Sequence, residues 1–91
     1  MSGTFNDYLQ SLKNSPEYWE QAPRDDFSDA LFMIMNEKNM LQKNVAARAE
    51  LSPAVICHAL NGDSILLKTM CRIAYALGYR VRIRLERIAD E

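Results

Sequence analysis

Three residues of types that often perform chemistry occur in the sequence: Cys57, His58 and Cys71. Nucleophilic catalysis by a cysteine–histidine pair requires the two side chains to face each other. Neighbours on a helix point about 100° apart, so the adjacent Cys57 and His58 do not meet this requirement. A structural zinc site needs four ligands at recognisable spacing, and these three side chains do not supply them. The sequence therefore predicts neither an enzyme nor a metal site, and it predicts no cofactor.

Three aspartates that lie close together, Asp25, Asp26 and Asp29, could be mistaken for a metal cluster. We interpret them as charges on a solvated face at the start of a helix, because acidic side chains interact favourably with the positive end of the helix dipole. The three glycines of the chain are not arranged as a glycine-rich phosphate loop. Binding to another macromolecule is therefore a better-supported class of function than catalysis.

The stretch from residue 41 to residue 62 predicts two short helices joined by a tight turn. The first helix covers residues 42–49, with Val45, Ala46 and Ala49 on its buried side. The small side chain of Ala46 lets the two helices approach closely. Glu50 and Leu51 turn the chain, and Leu51 fills the corner between the helices.

The second short helix is expected to begin at Ser52 and Pro53. The Ser52 hydroxyl can accept a hydrogen bond from a free N–H group of the first turn, and proline loses no helical hydrogen bond at the first position. Asn61 and Gly62 tolerate the left-handed conformation that ends a helix. The core-facing residues are predicted to be Ile56, Ala59 and Leu60, and those facing away to be Ala54, Val55, Cys57, His58 and Asn61.

These residues resemble the helix-turn-helix of the phage-repressor-like family (Xre, or Cro/C1 type). The resemblance covers roughly residues 26–78 and rests on Gln42, Val45, Ala46, Leu51, Ser52, Pro53, Ile56, Asn61, Gly62, Met70, Ile73, Ala74, Leu77 and Gly78. This chain has Leu41 where the family usually has Ser or Thr, and Glu50 where it usually has Gly. A left-handed Glu50 would cost on the order of 1 kcal/mol. The resemblance implies a mainly α, lambda-repressor-like helical bundle that binds double-stranded DNA.

The resemblance also implies where DNA would be contacted. Gln42 matches a glutamine that contacts phosphate, and Asn61 matches a second contact to the DNA backbone. Apolar side chains can touch only thymine methyl groups, whereas His58 can donate to or accept from a base edge. Arg72 is a further positive candidate near the motif, and a solvated helix face is an equal alternative for each nearby cation. The DNA-binding candidates are Gln42, Lys43, Ser52, Ala54, Val55, Cys57, His58, Asn61 and Lys68.

The chain divides into three predicted parts: an N-terminal helical arm (1–24), a DNA-binding domain (25–78), and a C-terminal β-strand with a tail (79–91). Within the arm, we expect a helix over residues 4–13, then one or two helical turns over residues 17–21. Pro23 marks a boundary, and a new helix starts at Asp25 or Asp26. Its buried stripe is predicted to be Phe27, Ala30, Leu31, Ile34 and Met35. A last helix over residues 67–77 is predicted to face inward with Leu67, Met70, Cys71, Ile73, Ala74 and Leu77.

The C-terminal stretch changes from helical periodicity to strict alternation. Val81, Ile83 and Leu85 alternate with arginines 80, 82 and 84, which predicts a strand over residues 79–86 with one apolar and one basic face. A lone strand needs a partner for its backbone groups, so Val81, Ile83 and Leu85 are the predicted dimerisation residues of an antiparallel pair between two copies. The basic face is either solvated or in contact with phosphate or an acidic partner. The arrangement resembles that of HipB-like and HigA-like antitoxins.

Charge and composition bound the function further. Residues 1–37 carry two basic and seven acidic side chains, whereas residues 38–91 carry nine basic and five acidic ones. This asymmetry suggests that the C-terminal part meets an anion. The sequence shows no signal peptide and no apolar run of membrane-spanning length, and its two cysteines suit a reducing compartment. We therefore expect a cytoplasmic protein without membrane contact.

These expectations lead to one principal function and its alternatives. The principal one is a homodimeric, sequence-specific DNA-binding regulator that represses transcription from an operator. The alternative is an antitoxin that binds a toxin protein and also regulates its own operon. A phage regulator without a toxin partner is a third interpretation, and the sequence alone does not separate the three.

Overall fold

The computed structural model describes residues 15–88, and this part of the chain folds into four α-helices. Helix α1 spans Pro16–Lys38, α2 Gln42–Ala49, α3 Pro53–Leu60 and α4 Leu67–Ala76. The prediction of a mainly α protein is confirmed for the described range. The predicted helix over residues 4–13 and the last residues of the tail, 89–91, lie outside it. None of the described helices is long and apolar enough to cross a membrane.

Helix α1 is one continuous helix of 23 residues, so the predicted break at Pro23 and new start at Asp25 or Asp26 are wrong. Ser15 caps it, accepting a hydrogen bond from the backbone N–H of Tyr18 at 3.2 Å. Pro23 cannot donate the usual i→i−4 hydrogen bond. The side chain of Gln21 bridges this point, since it is hydrogen-bonded to Arg24 and to Asp25 at 2.8 and 2.9 Å.

The continuity of α1 changes the interpretation of the aspartates. Asp25, Asp26 and Asp29 lie in the middle of the helix, where the helix dipole offers them no stabilisation, and Glu17 is the acidic residue of the first turn. Residues 15–24 likewise belong to the same helix as residues 25–38. The predicted division of the chain at residue 24 therefore falls inside an element.

All four helices contribute to one apolar core. Helix α2 packs against α3 and α4, and α1 packs against α3. The predicted burial of Ala46 is confirmed, with 2% of the residue exposed. The core consists of Leu31, Met35, Val45, Ala46, Ile56, Ala59, Ile73 and Leu77, with Phe27, Ile34, Met40, Leu51, Leu60 and Ile65 partly buried against it.

Three residues predicted to face the core are exposed: Ala30, Leu67 and Cys71. At 100° per residue, Leu67 and Cys71 lie roughly 70° and 110° from the centre of the stripe formed by Ile73 and its buried neighbours. Ala30 lies at the corresponding edge of the α1 stripe. The buried stripes are therefore narrower than the apolar pattern suggests.

The four left-handed residues of the described chain end the four helices. Asn39, Glu50, Gly62 and Gly78 have φ angles of 52°, 59°, 75° and 88°. Each end has the hydrogen bonds of a Schellman motif, as in the bond from the Leu51 N–H to the Ala46 carbonyl at 2.9 Å. The turn predicted at Glu50 is thus confirmed, and Glu50 adopts the left-handed conformation in it.

The start of α3 agrees with the prediction in position but not in hydrogen bonding. Ser52 is the N-cap and Pro53 the first helical residue, yet the Ser52 side chain makes no capping hydrogen bond. The N-terminal cap of α2 is provided from inside the helix, since the Asn44 side chain accepts a bond from the Leu41 N–H at 2.9 Å. The Leu41 side chain is apolar, so it cannot accept the reciprocal hydrogen bond from the backbone N–H of Asn44.

Residues 79–88 follow α4 without regular secondary structure, so the predicted β-strand is absent from the described chain. A strand is defined by its hydrogen-bonded neighbour, and no described segment lies in position to provide one. Residues 79–84 and Glu86 line an apolar groove of about 600 Å³ with α1 and α4. Val81 is half-buried, whereas Ile83 and Leu85 are 68% and 96% exposed.

Candidate nucleic-acid interface

The exposed face of α3 is the most distinctive surface of the helix pair. Ile56 and Ala59 are buried, and at 100° per residue Ala54 and Asn61 project from the opposite side of the helix. Cys57 and His58 are exposed beside them, and Val55 is half-buried. The structure therefore places Ala54, Cys57, His58 and Asn61 on one accessible face, with Val55 at its margin.

A second candidate surface lies at the start of α2. Gln42 and Lys43 occupy its first turn, and both are exposed. The first turn contains no acidic residue, so no carboxylate competes for the free N–H groups at this end. A helix N-terminus of this kind suits an anion, because the N–H groups and the helix dipole both favour negative charge.

The remaining candidates flank these two surfaces. Ser52 is exposed at the N-cap of α3, and Lys68 is exposed in the first turn of α4, with Arg72 one turn further along. The ion pairs within residues 15–88 are His58–Asp63 and Arg84–Glu86. No carboxylate in that range neutralises Lys43, Lys68 or Arg72, so their charges are available to an anion.

His58 is tied to a residue that sequence reasoning missed. Its ring nitrogen Nδ1 lies 2.8 Å from Oδ2 of Asp63, and the side chains are 60% and 50% exposed. The signal was present in the sequence, because a Schellman end brings the residue after Gly62 back to the carbonyl of His58. The Asp63 N–H does donate to that carbonyl, at 3.0 Å.

Asn61, the other polar residue on the exposed face of α3, makes only a weak contact with its side chain. Its Nδ2 lies 3.8 Å from Sγ of Cys57, a weak contact to sulfur. Both residues are exposed, so the amide can exchange this contact for a stronger acceptor. Cys57 and Cys71 are free thiols.

Helix α1 holds the end of α3 in place through two side chains that sequence reasoning also missed. Nε2 of Gln21 donates to the Gly62 carbonyl at 2.8 Å, and the Ser28 hydroxyl donates to the Leu60 carbonyl. The Leu60 carbonyl is one of the last carbonyls of α3, which lack partners within the helix, and the Gly62 carbonyl lies two residues beyond it. The two side chains satisfy both acceptors. Gln21 and Ser28 are seven residues apart and therefore lie on the same face of α1. This seven-residue spacing is the feature of the sequence that could have indicated a shared role for the two side chains. It does not show which atoms accept their hydrogen bonds.

The described chain contains no group of three His, Cys, Asp or Glu residues arranged to hold a metal ion. Comparisons with protein-family models, with curated proteins and with solved structures found no match to this chain.

Proposed function

We propose that this protein is a sequence-specific, double-stranded DNA-binding regulator of the phage-repressor-like helix-turn-helix type, acting as a repressor. One observation carries the proposal. Helices α2 and α3 pack against each other, Ala46 is buried, and the row of Ala54, His58 and Asn61 on α3 is exposed. An α-helix fits the major groove when such a face is free, and its exposed side chains then meet base edges.

The proposed contacts divide into two groups. Gln42, Lys43, Lys68 and Asn61 bind phosphate oxygens, which fixes the position of the protein without reading sequence. On α3, His58 reads a base edge, whereas Ala54 and Val55 make apolar contact with thymine methyl groups. Ser52 and Cys57 complete the contact surface. Because α3 has no Lys or Arg, sequence preference depends on these few contacts and on DNA shape.

The proposal includes a homodimer formed by the C-terminal segment. One helix in the major groove reads only a half-site, and two copies about one DNA turn apart, ~34 Å, read a complete operator. Residues 79–86 have the alternation of a strand, and Ile83 and Leu85 are exposed in the single chain. Antiparallel pairing with the same segment of a second copy would supply the backbone hydrogen bonds that a strand requires. It would also cover Val81, Ile83 and Leu85.

The decisive experiment is a binding selection with the full-length protein and a library of randomised DNA duplexes. We expect enrichment of a two-fold symmetric sequence, with affinity that falls steeply with salt as counterions are released. The double variant Gln42→Ala, Asn61→Ala should lose binding to the enriched sequence. Asn36→Ala, which removes an exposed amide from α1, is the matched control and should bind normally. If wild-type protein enriches no sequence and binds no duplex, the proposal is wrong.

A second function is favoured by one specific observation. Ile83, Leu85 and Ile88 are exposed on the C-terminal segment together with several arginines, a surface that a protein partner with an acidic rim would cover. In this alternative the toxin, rather than a second copy of the chain, covers Ile83 and Leu85, and the α3 face binds the operator. Co-expression with the product of the adjacent gene tests this function. Co-purification that is lost when the chain ends at Gly78 would support it, and a lack of co-purification would contradict it.

A further inference from the structure

His58 and Asp63 are joined twice, once through the backbone and once through their side chains. The Asp63 N–H donates to the His58 carbonyl at 3.0 Å, as the Schellman end of α3 requires. The Asp63 carboxylate lies against the imidazole of His58, with 2.8 Å between Oδ2 and Nδ1. Gly62, with φ at +75°, makes this return of the chain possible. The backbone therefore holds the main chain of Asp63 beside that of His58, which keeps the carboxylate within reach of the imidazole.

This arrangement determines which ring nitrogen carries the proton. An ionised carboxylate only accepts hydrogen bonds, so Nδ1 must be the donor in this pair. In a neutral imidazole with its proton on Nδ1, the other nitrogen, Nε2, has a free lone pair and is an acceptor. The ring projects from the exposed face of α3, and its side chain is 60% exposed. Nε2 is thus the atom that His58 offers to a ligand on this face.

We propose that Asp63 is a specificity-determining positioning residue: it holds His58 in the Nδ1–H tautomer, so that Nε2 accepts a hydrogen bond from the exocyclic amine of adenine or cytosine in the major groove. The amines of adenine N6 and cytosine N4 are the donors that bases present there, whereas guanine and thymine present acceptors. His58 in this tautomer rejects guanine O6 and thymine O4, because two acceptors face each other. The inference rests on the proposed DNA-binding function, and it names the chemical group that the site reads.

The test begins with the operator obtained by selection with wild-type protein. At each base pair of the half-site, adenine is replaced by purine, which lacks the N6 amine, or cytosine by pyrimidin-2-one, which lacks the N4 amine. We expect wild-type protein to lose about 2- to 12-fold in affinity at one position, the range for a single neutral hydrogen bond. His58→Ala and Asp63→Ala should each bind the amine-bearing and amine-lacking duplexes equally at that position. The quantity compared for each protein is the ratio of its affinities for the amine-bearing and the amine-lacking duplex. Loss of the Asp63 carboxylate can change the attraction to phosphate, but it changes both affinities equally and therefore cancels in the ratio.

A second measurement tests whether Asp63 sets the tautomer of His58, independently of folding and of DNA binding. The nitrogen-15 chemical shifts of the His58 ring identify its tautomer in the free, folded protein. Wild type should show protonated Nδ1, Asp63→Ala should lose that preference, and Asp63→Glu should restore part of it. Asp29→Ala, which removes an exposed carboxylate from α1, is the control and should behave as wild type in both measurements.

Each outcome gives a clear answer. If Asp63→Ala keeps the discrimination that His58→Ala loses, or if wild-type His58 carries its proton on Nε2, the inference is overturned and DNA binding stands. If wild-type protein selects an operator but discriminates no amine, the inference is also overturned. If it selects no operator at all, the proposed function fails, and with it the base contact, whatever the tautomer.

Discussion

The side chain of Gln21 in α1 donates a hydrogen bond to the backbone carbonyl of Gly62, 41 residues further along the chain, at 2.8 Å. This bond connects a segment predicted to be a separate N-terminal arm to the end of α3. Together with the bond from Ser28 to the Leu60 carbonyl, it fixes the position of α3 relative to α1. The first half of α1 is therefore part of the support for the candidate interface.

The first prediction concerns this support. Gln21→Ala should lower the free energy of unfolding by about 1 kcal/mol, because it leaves a part-buried carbonyl without its partner. Ser28→Ala should have an effect of similar size for the same reason. Chemical denaturation followed by circular dichroism measures both. Gln42→Ala is the matched control, since Gln42 is exposed, and its stability should stay close to that of wild type. Equal stability of Gln21→Ala and Gln42→Ala would contradict the support role.

A second prediction uses the two left-handed glycines as a matched pair. Alanine at Gly78 would adopt a positive φ with nothing within 4 Å of its Cβ, so only the conformational cost of about 1 kcal/mol applies. Alanine at Gly62 would incur the same cost, and its Cβ would also lie 2.8 Å from Asp25 Oδ1 and 3.1 Å from Gln21 Nε2. Both atoms are ends of side chains that can shift, and a shift of Gln21 weakens its bond to the Gly62 carbonyl, so we expect Gly62→Ala to be more destabilising than Gly78→Ala in thermal unfolding. The reverse order would mean that α1 does not pack closely on the end of α3.

The third prediction concerns Glu50, which ends α2 with φ at 59°. A left-handed conformation is costly for a residue with a Cβ, and glycine removes that cost. Glu50→Gly should therefore stabilise the protein by about 1 kcal/mol. Ala47→Gly, at an exposed position inside the same helix, should instead destabilise it by roughly 0.5–1 kcal/mol. A melting temperature for Glu50→Gly that is no higher than that of wild type would show that the turn is not strained by glutamate.

The core of the helix pair could be predicted from sequence because it follows from periodicity. Val45 and Ala49 recur at helical spacing in α2, as do Ile56 and Ala59 in α3, and their burial needs no knowledge of any distant residue. The limits of α3 follow equally from local signals, since Pro53 suits the first helical position and Gly62 suits a left-handed end. These features are fixed by residues within a few positions of one another.

All but one of the features that sequence reasoning missed depend on contacts between distant segments. The rule that proline ends a helix is local, and at Pro23 it was overridden by a helix that is capped at Ser15 and anchored through Gln21 to another element. The acceptors of Gln21 and Ser28 are backbone carbonyls, which leave no residue-specific mark in a sequence. The pairing of His58 with Asp63 could have been predicted from the sequence, because both residues belong to the same helix end.

The last prediction tests the proposed dimer. If two copies pair antiparallel about Ile83, Val81 lies opposite Leu85 of the second copy, and Arg80 lies opposite its Glu86. The apolar face is then complete, and each end of the ribbon gains an opposite-charge pair. Arg82 lies opposite Arg84 of the second copy, a like-charge contact that the Glu86 carboxylate beside Arg84 offsets. Ile83→Pro removes a ladder donor and an apolar contact at the centre of this pairing. In the single chain, residue 83 belongs to no helix and lies outside the core, so the substitution should leave the helical bundle intact.

We therefore expect Ile83→Pro to keep its helical circular dichroism, to sediment as a monomer and to lose operator affinity. Ile88→Pro is the matched control, because Ile88 is an exposed isoleucine of the same segment beyond the proposed strand, and this variant should remain dimeric. A chain that ends at Gly78 should behave like Ile83→Pro in sedimentation. A stable dimer formed by both Ile83→Pro and the shortened chain would place the contact between copies elsewhere, since neither protein has an intact segment for strand pairing.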